Sequence, residues 1–293
     1  MIDSLKMSSL NKWLTSNLTN NKGVHYRHNF ISEVNNGKRA KIVSELKPLV
    51  QTIHDDTRLK LRDLFQDDWD PLKPWTNEID PAEGYPEKLD LTTLKGYFGE
   101  IFSGIIAENF MPFDEGNWRV PLFPFRFHST AFDQLELYRQ TGKMKKATYG
   151  RTGDDCVAFS FNNGVIDKVL FLEAKCTATH KSSMINDAHE KISSEYLIPV
   201  ETLRLVEGLR SYRKIKKEAQ EWIDALRAMY SSRNVLRYDC VSYLCGQKPK
   251  RSKTWITTNA PNVNYKGNRE LETVEIHISD IDELIKEIYG KED

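Results

Sequence analysis

Between Asp90 and Phe110, Leu91, Leu94, Phe98, Ile101, Phe102, Ile105 and Ile106 recur at the spacing of one face of an α-helix. A second helical pattern runs from Arg39 to Phe65 through Ile42, Leu46, Leu49, Val50, Ile53, Leu59, Leu61 and Leu64. The period then changes. Asp155–Phe161 and Lys168–Cys176 are short runs of β-branched, aromatic and aliphatic residues, and Asn162-Asn163-Gly164 between them is a strong hairpin signal. Helical spacing returns at about 183–194 and 200–230, and strand-like runs at Leu236–Leu244 and Glu270–Ile278. Ser279 with Asp282 has the form of a capping box that opens a last helix to Tyr289.

Punctuation divides the chain. Residues 66–88 carry Asp-Pro, Lys-Pro and Tyr-Pro steps and read as an irregular connector. It separates a mainly helical N-terminal segment (1–88) from a main domain (89–293). Residues 1–37 hold few large apolar side chains and are expected to be loosely ordered or to dock late. An insertion at about 111–150 contains an extended piece (Trp118–Phe127), a short helix (Thr130–Tyr138) and a basic loop. The main domain therefore reads as an α/β fold, a mixed sheet flanked by helices.

Composition narrows the setting. The 293 residues are 39% hydrophobic and 29% charged, as in a globular protein. No apolar run approaches the roughly 20 residues that a bilayer span needs, and Met1 to Asn11 is too polar for a signal peptide. Cys156, Cys176, Cys240 and Cys245 show no paired spacing for zinc or disulfides, so a cytoplasmic protein with no membrane contact is expected. Forty-two basic residues balance 42 acidic ones, which weakly opposes a stand-alone nucleic-acid binder. The local basic clusters, 143–151, 204–217 and 248–253, read first as solvated faces.

The informative stretch is Asp154-Asp155-Cys156-Val157-Ala158-Phe159 followed by Leu172-Glu173-Ala174-Lys175. Two positions apart on a strand, Glu173 and Lys175 project from one face, and Val169 and Phe171 share it. Charge on an apolar face is costly unless it is paired or binds metal. Two carboxylates and a lysine suit phosphodiester hydrolysis with Mg²⁺ or Mn²⁺: the carboxylates hold the ion and the ammonium stabilises developing charge. A two-residue turn at Asn163-Gly164 puts Asp154 opposite Glu173, whereas a three- or five-residue loop puts Asp155 there. Alternation groups Asp155 with Val157, Phe159 and Phe161 and favours Asp155. Glu100 is a third candidate, because Gly96, Ser103, Gly104 and Ala107 surround it with small residues that allow a close approach to the sheet.

Glu100, Asp155, Glu173 and Lys175 together resemble the PD-(D/E)xK nuclease superfamily, whose pattern is a helix with Glu, a strand with Asp, a strand with Glu-x-Lys and a helix. The resemblance covers roughly 90–280, lacks the proline of the superfamily's name, and carries the insertion. It implies a restriction-endonuclease-like fold, Asp155, Glu173 and Glu100 as metal ligands, and Lys175 as a catalytic residue. Lys95-Gly96-Tyr97-Phe98-Gly99-Glu100 and Phe171-Leu172-Glu173-Ala174-Lys175, with the ending Val274–Ile278, are similar to Hachiman-type anti-phage nuclease subunits. That similarity implies a DNA endonuclease controlled by a partner helicase or ATPase. Two other readings stay open: a catalytically idle nuclease-like module that binds DNA or protein, and a sequence-specific restriction endonuclease. His180, Lys181 and His189 could face phosphates but read better as surface helix residues. Tyr26, between His25 and His28, reads as local packing, and Trp118, Phe123, Phe125 and Phe127 as a core strand.

Overall fold

The computed structural model describes residues 1–20, 25–34, 36–63, 80–123, 125, 138, 142, 155–250 and 253–291. In chain order its elements begin with α1 (Leu10–Trp13), β1 (Leu14–Asn20), β2 (Tyr26–Glu33), α2 (Arg39–Asp63), α3 (Leu91–Phe110) and β3 (Trp118–Arg119). Then come β4 (Cys156–Asn162), β5 (Val165–Thr177), α4 (Ser182–Ile192), α5 (Thr202–Tyr212) and α6 (Lys217–Ser232). The chain closes with β6 (Leu236–Cys245), β7 (Leu271–His277) and α7 (Ile281–Tyr289).

All seven strands join one mixed sheet in the order β1-β2-β7-β6-β5-β4-β3. Its centre, β2-β7-β6-β5, is parallel, and its flanking pairs are antiparallel. Alternation along the strands builds two cores. Cys156, Ala158, Leu170 and Leu172 face α2, α3 and α7, meeting Leu94, Phe98, Ile101 and Phe102. Val157, Phe159, Val169 and Phe171 face α4, α5 and α6, meeting Ala188, Ile192, Trp222 and Leu226. No helix among the described residues is long and apolar enough to cross a membrane.

Several expectations change on inspection. The N-terminal segment adds strands to its helices: β1 and β2 form a hairpin, and β2 pairs with β7 in the same sheet as the site strands. Its apolar residues are few, but Leu5, Leu10 and Trp13 are completely buried. The helix expected over 200–230 is two helices: between Leu209 of α5 and Ala219 of α6, Tyr212 is only partly buried and Ile215 is exposed. The capping box at Ser279 does not form. Asp280 precedes α7 without a side-chain cap, and the Ser279 N–H donates to Glu33 instead. Asp90 does cap α3, accepting from the N–H groups of Thr92 and Thr93. Trp118, Phe123 and Phe125 are core residues. The expected helix Thr130–Tyr138, apart from Tyr138, lies outside the described residues, as do Phe127, Asp154 and the basic residues Lys143, Lys145, Lys146 and Arg151.

Candidate active site

The hairpin that carries the site has a two-residue turn, with Asn163 and Gly164 both at positive φ (49° and 79°), as a tight turn between twisted strands requires. Pairing starts at Asn162↔Val165 and Phe161↔Ile166 and then slips, so that Ser160 pairs with Lys168 and Cys156 with Leu172. Asp167 is the extra residue, a β-bulge. Continued one step beyond Cys156↔Leu172, this register brings Asp155 level with Glu173. The expected turn and the favoured aspartate are thus both present, reconciled by a bulge rather than by a longer loop.

Asp155 and Glu173 lie on the face covered by α4, and both are buried, at 7% and 1% exposure. The Ala174 N–H donates to Asp155 Oδ2 at 3.0 Å. Lys175 Nζ donates to Glu173 Oε1 at 2.9 Å and pairs with Asp187 Oδ2 of α4 at 2.7 Å. Lys191, also on α4, donates to Glu173 Oε2 at 2.6 Å and to Asp155 Oδ1 at 3.2 Å. Burial raises the Glu173 pKa to about 8 and the Asp155 charge adds to it, while Lys175 and Lys191 pull it down without cancelling the rise. Burial works against the Lys175 charge, but Glu173, Asp187 and Asp155 outweigh it, so its pKa is raised.

Lys191 and Asp187 are the site residues that the sequence reading missed. Ile185, Ala188, His189 and Ile192 point α4 into the core, and Met184, Asp187 and Lys191 form the neighbouring stripe, which lines the cleft. The C-terminal end of α4 is pinned from below. Arg237 donates to the Ile192 carbonyl at 2.8 Å, lies 3.8 Å over the Phe171 ring, and is held by buried Asp239 at 2.8 Å.

A cleft of about 410 Å³ opens at the C-terminal end of β5, between the first turns of α3 and the stripe of α4. Thr92, Thr93, Lys95 and Gly96 form one wall, Ala174 to Thr177 the floor, and Lys181, Asp187 and Lys191 the other wall. Gly99 sets how closely α3 lies on the sheet: a Cβ there would stand 3.1 Å from the Cys176 Cβ.

Of the four expected residues, Asp155, Glu173 and Lys175 converge and Glu100 does not join them. The small residues around Glu100 do allow close packing, but α3 packs on the opposite face of the sheet from Glu173. Glu100 is buried there, and its charge bears on the Tyr85 and Tyr289 hydroxyls. His189 is a core residue whose Nδ1–H donates to the Ile185 carbonyl and whose Nε2 lies 3.4 Å from Thr273 Oγ1. His180 stacks on Trp255 with ring centroids 3.7 Å apart. Tyr26 packs inward and donates to the Thr257 carbonyl, and His28 lies beside Glu275, which accepts from the Trp255 and Ile256 N–H groups and from His277.

Asp155 and Glu173 fit a hard divalent cation, because one oxygen of each is aimed at a single positive centre, the Lys191 ammonium. Among the described residues no three Asp, Glu, His or Cys side chains gather as a ready-made metal shell. An ion held by this pair would keep water in its other positions, as Mg²⁺ commonly does. Compared with known proteins, the chain matches no family model, and no curated protein shows significant similarity to it.

Proposed function

We propose that this chain is a metal-dependent phosphodiesterase of the PD-(D/E)xK type that cuts DNA internally. The observation that carries the reading is the aim of two buried carboxylates at one cationic centre, with the Lys175 ammonium beside them at a cleft rich in lysine. Asp155 and Glu173 hold Mg²⁺ or Mn²⁺, with no ligand role for Glu100. A divalent ion in that position supplies charge that polarises a phosphate and favours hydroxide over water at neutral pH. Lys175, oriented by Asp187, orients the attacking water or stabilises the charge that develops on the phosphate oxygens. Lys181 at the rim favours a polyanion, and Lys95, paired with Asp282 at 3.0 Å, adds less.

The finer reading is an anti-phage effector held in check by a partner helicase or ATPase. Zero net charge supports it, since the chain has little overall attraction for DNA and a free nuclease would endanger its host. Purified chain incubated with plasmid should cleave in Mg²⁺ or Mn²⁺ and stop in EDTA. Undiminished cleavage in EDTA overturns the mechanism. One observation favours an idle binding module as a second reading: Lys191 already pairs with both carboxylates. That reading requires DNA or protein binding with no cleavage in Mn²⁺, even with a partner present.

A further inference from the structure

Lys191 Nζ stands 2.6 Å from Glu173 Oε2 and 3.2 Å from Asp155 Oδ1. A divalent ion bound to those oxygens at about 2.0–2.6 Å would need the same space and would repel the ammonium. The two cations exclude each other. We propose that Lys191 is the resident counter-ion of the metal position, which it fills in the metal-free protein and leaves when a divalent ion enters. This inference rests on the metal-binding reading of Asp155 and Glu173.

The helix holds the base of Lys191 and leaves its tip a way out. Ala188 and Ile192 are buried on either side, and Arg237 holds the Ile192 carbonyl, so α4 itself is anchored. The Lys191 side chain is 22% exposed and lines the cleft with Asp187 and Lys95. Rotation of its flexible stem carries the ammonium from the carboxylates to the cleft wall, where a phosphate would pass. Lys175 is placed differently: it has Asp187 as well as Glu173, and it touches only the carboxylate oxygen that Lys191 does not. Lys175 therefore need not move when the ion binds.

Two measurements on the full chain test this. The first compares Mn²⁺ affinity and melting temperature for the parent and Lys191→Met, with Lys191→Arg as the charge-retaining control. Lys191→Met should bind Mn²⁺ at least about fivefold more tightly, the lower end of the range by which one bound group ordinarily changes the affinity for another. It should also melt lower without metal and gain more from Mn²⁺. Unchanged or weaker Mn²⁺ binding overturns the proposal.

The second measurement needs no variant. Acetylation of Lys191 in the parent, followed by mass spectrometry against exposed Lys217, should accelerate severalfold on adding Mn²⁺. Constant or reduced labelling overturns the proposal. A parent that binds Mn²⁺ with no change at Lys191 refutes this inference alone. A parent that binds no Mn²⁺ refutes the metal reading with it.

Discussion

Glu173 is a carboxylate folded into a place that disfavours its charge. Its pKa moves from 4.5 to about 8, so the folded protein holds the proton more tightly than the unfolded chain does. The destabilisation sets in above about pH 4.5, grows with pH, and is complete near pH 8. Metal-free parent should therefore lose stability relative to Glu173→Gln between pH 5 and 8, by a margin on the order of a few kcal/mol. Mg²⁺ should close the gap by stabilising only the parent. Denaturant melts across that range decide the matter, and a parent that gains on the variant contradicts this electrostatic account. Lys175→Ala should behave differently. Cleavage should fall by about two to three orders of magnitude, the usual loss when a charge-stabilising group is removed, while Mn²⁺ affinity stays near the parent's. Equal losses in binding and cleavage would make Lys175 a support for the metal pair and not a catalytic group.

At this scale the sequence was legible where chemistry coincides with strand spacing. Glu173 and Lys175 stand two apart on an apolar face, and Asp155 joins them by alternation. Nothing in the sequence singles out Lys191, because an Asp and a Lys four apart on a helix ordinarily form a solvated pair. Asp187 and Lys191 instead both reach across to the sheet. Glu100 misled for a related reason: small neighbours reveal close packing but not which face of the sheet the helix covers.

Among the elements, the β4–β5 hairpin decides whether the site exists at all. A one-residue slip in register turns a side chain to the opposite face, and Asp167 supplies the slip that aligns Asp155 with Glu173. Deleting Asp167 removes the unpaired residue but leaves Ser160 opposite Lys168, so the carboxylates keep their alignment. We expect this deletion to fold and to cleave plasmid on the parent's scale. A folded deletion variant with no cleavage contradicts the register. The bulge shows only as Ile166 and Val169 standing three apart on one core face, so the sequence offered a choice between turn lengths and not this answer. The β1–β2 hairpin was equally hard to read. Leu14–Asn20 is an edge strand made mostly of polar residues, and Tyr26–Glu33 places His28 and Asn29 in the interior. The amphipathic helix α2 and the apolar helix α3 were readable from their helical spacing, and the strands β6 and β7 as short runs buried at nearly every position.

For the whole molecule, the parallel centre of the sheet brings the C-terminal end of β5 to the surface between α3 and α4, and the cleft forms there. Ligands in open α/β sheets commonly bind beyond the carboxyl ends of strands. The local lysines attract a polyanion, but the zero net charge supplies no broad attraction. The isolated chain should bind duplex DNA weakly and lose it steeply with added salt. Purification from its own host should recover a larger ATP-hydrolysing partner that restores efficient cutting. Rapid plasmid degradation at physiological salt by a chain with no recoverable partner contradicts that arrangement.

The central claim is that Asp155, Glu173 and Lys175 form one metal-dependent cutting site. Its most direct measurement is nicking of supercoiled plasmid in Mn²⁺ at low salt, by the parent and by Asp155→Asn, Glu173→Gln and Lys175→Ala. Each protein is melted with and without Mn²⁺ to verify folding. The parent should nick and lose activity in EDTA, folded Asp155→Asn and Glu173→Gln should be inactive, and folded Lys175→Ala should be slower by about two to three orders of magnitude. Variants that fold and nick like the parent would show that the chemistry lies elsewhere.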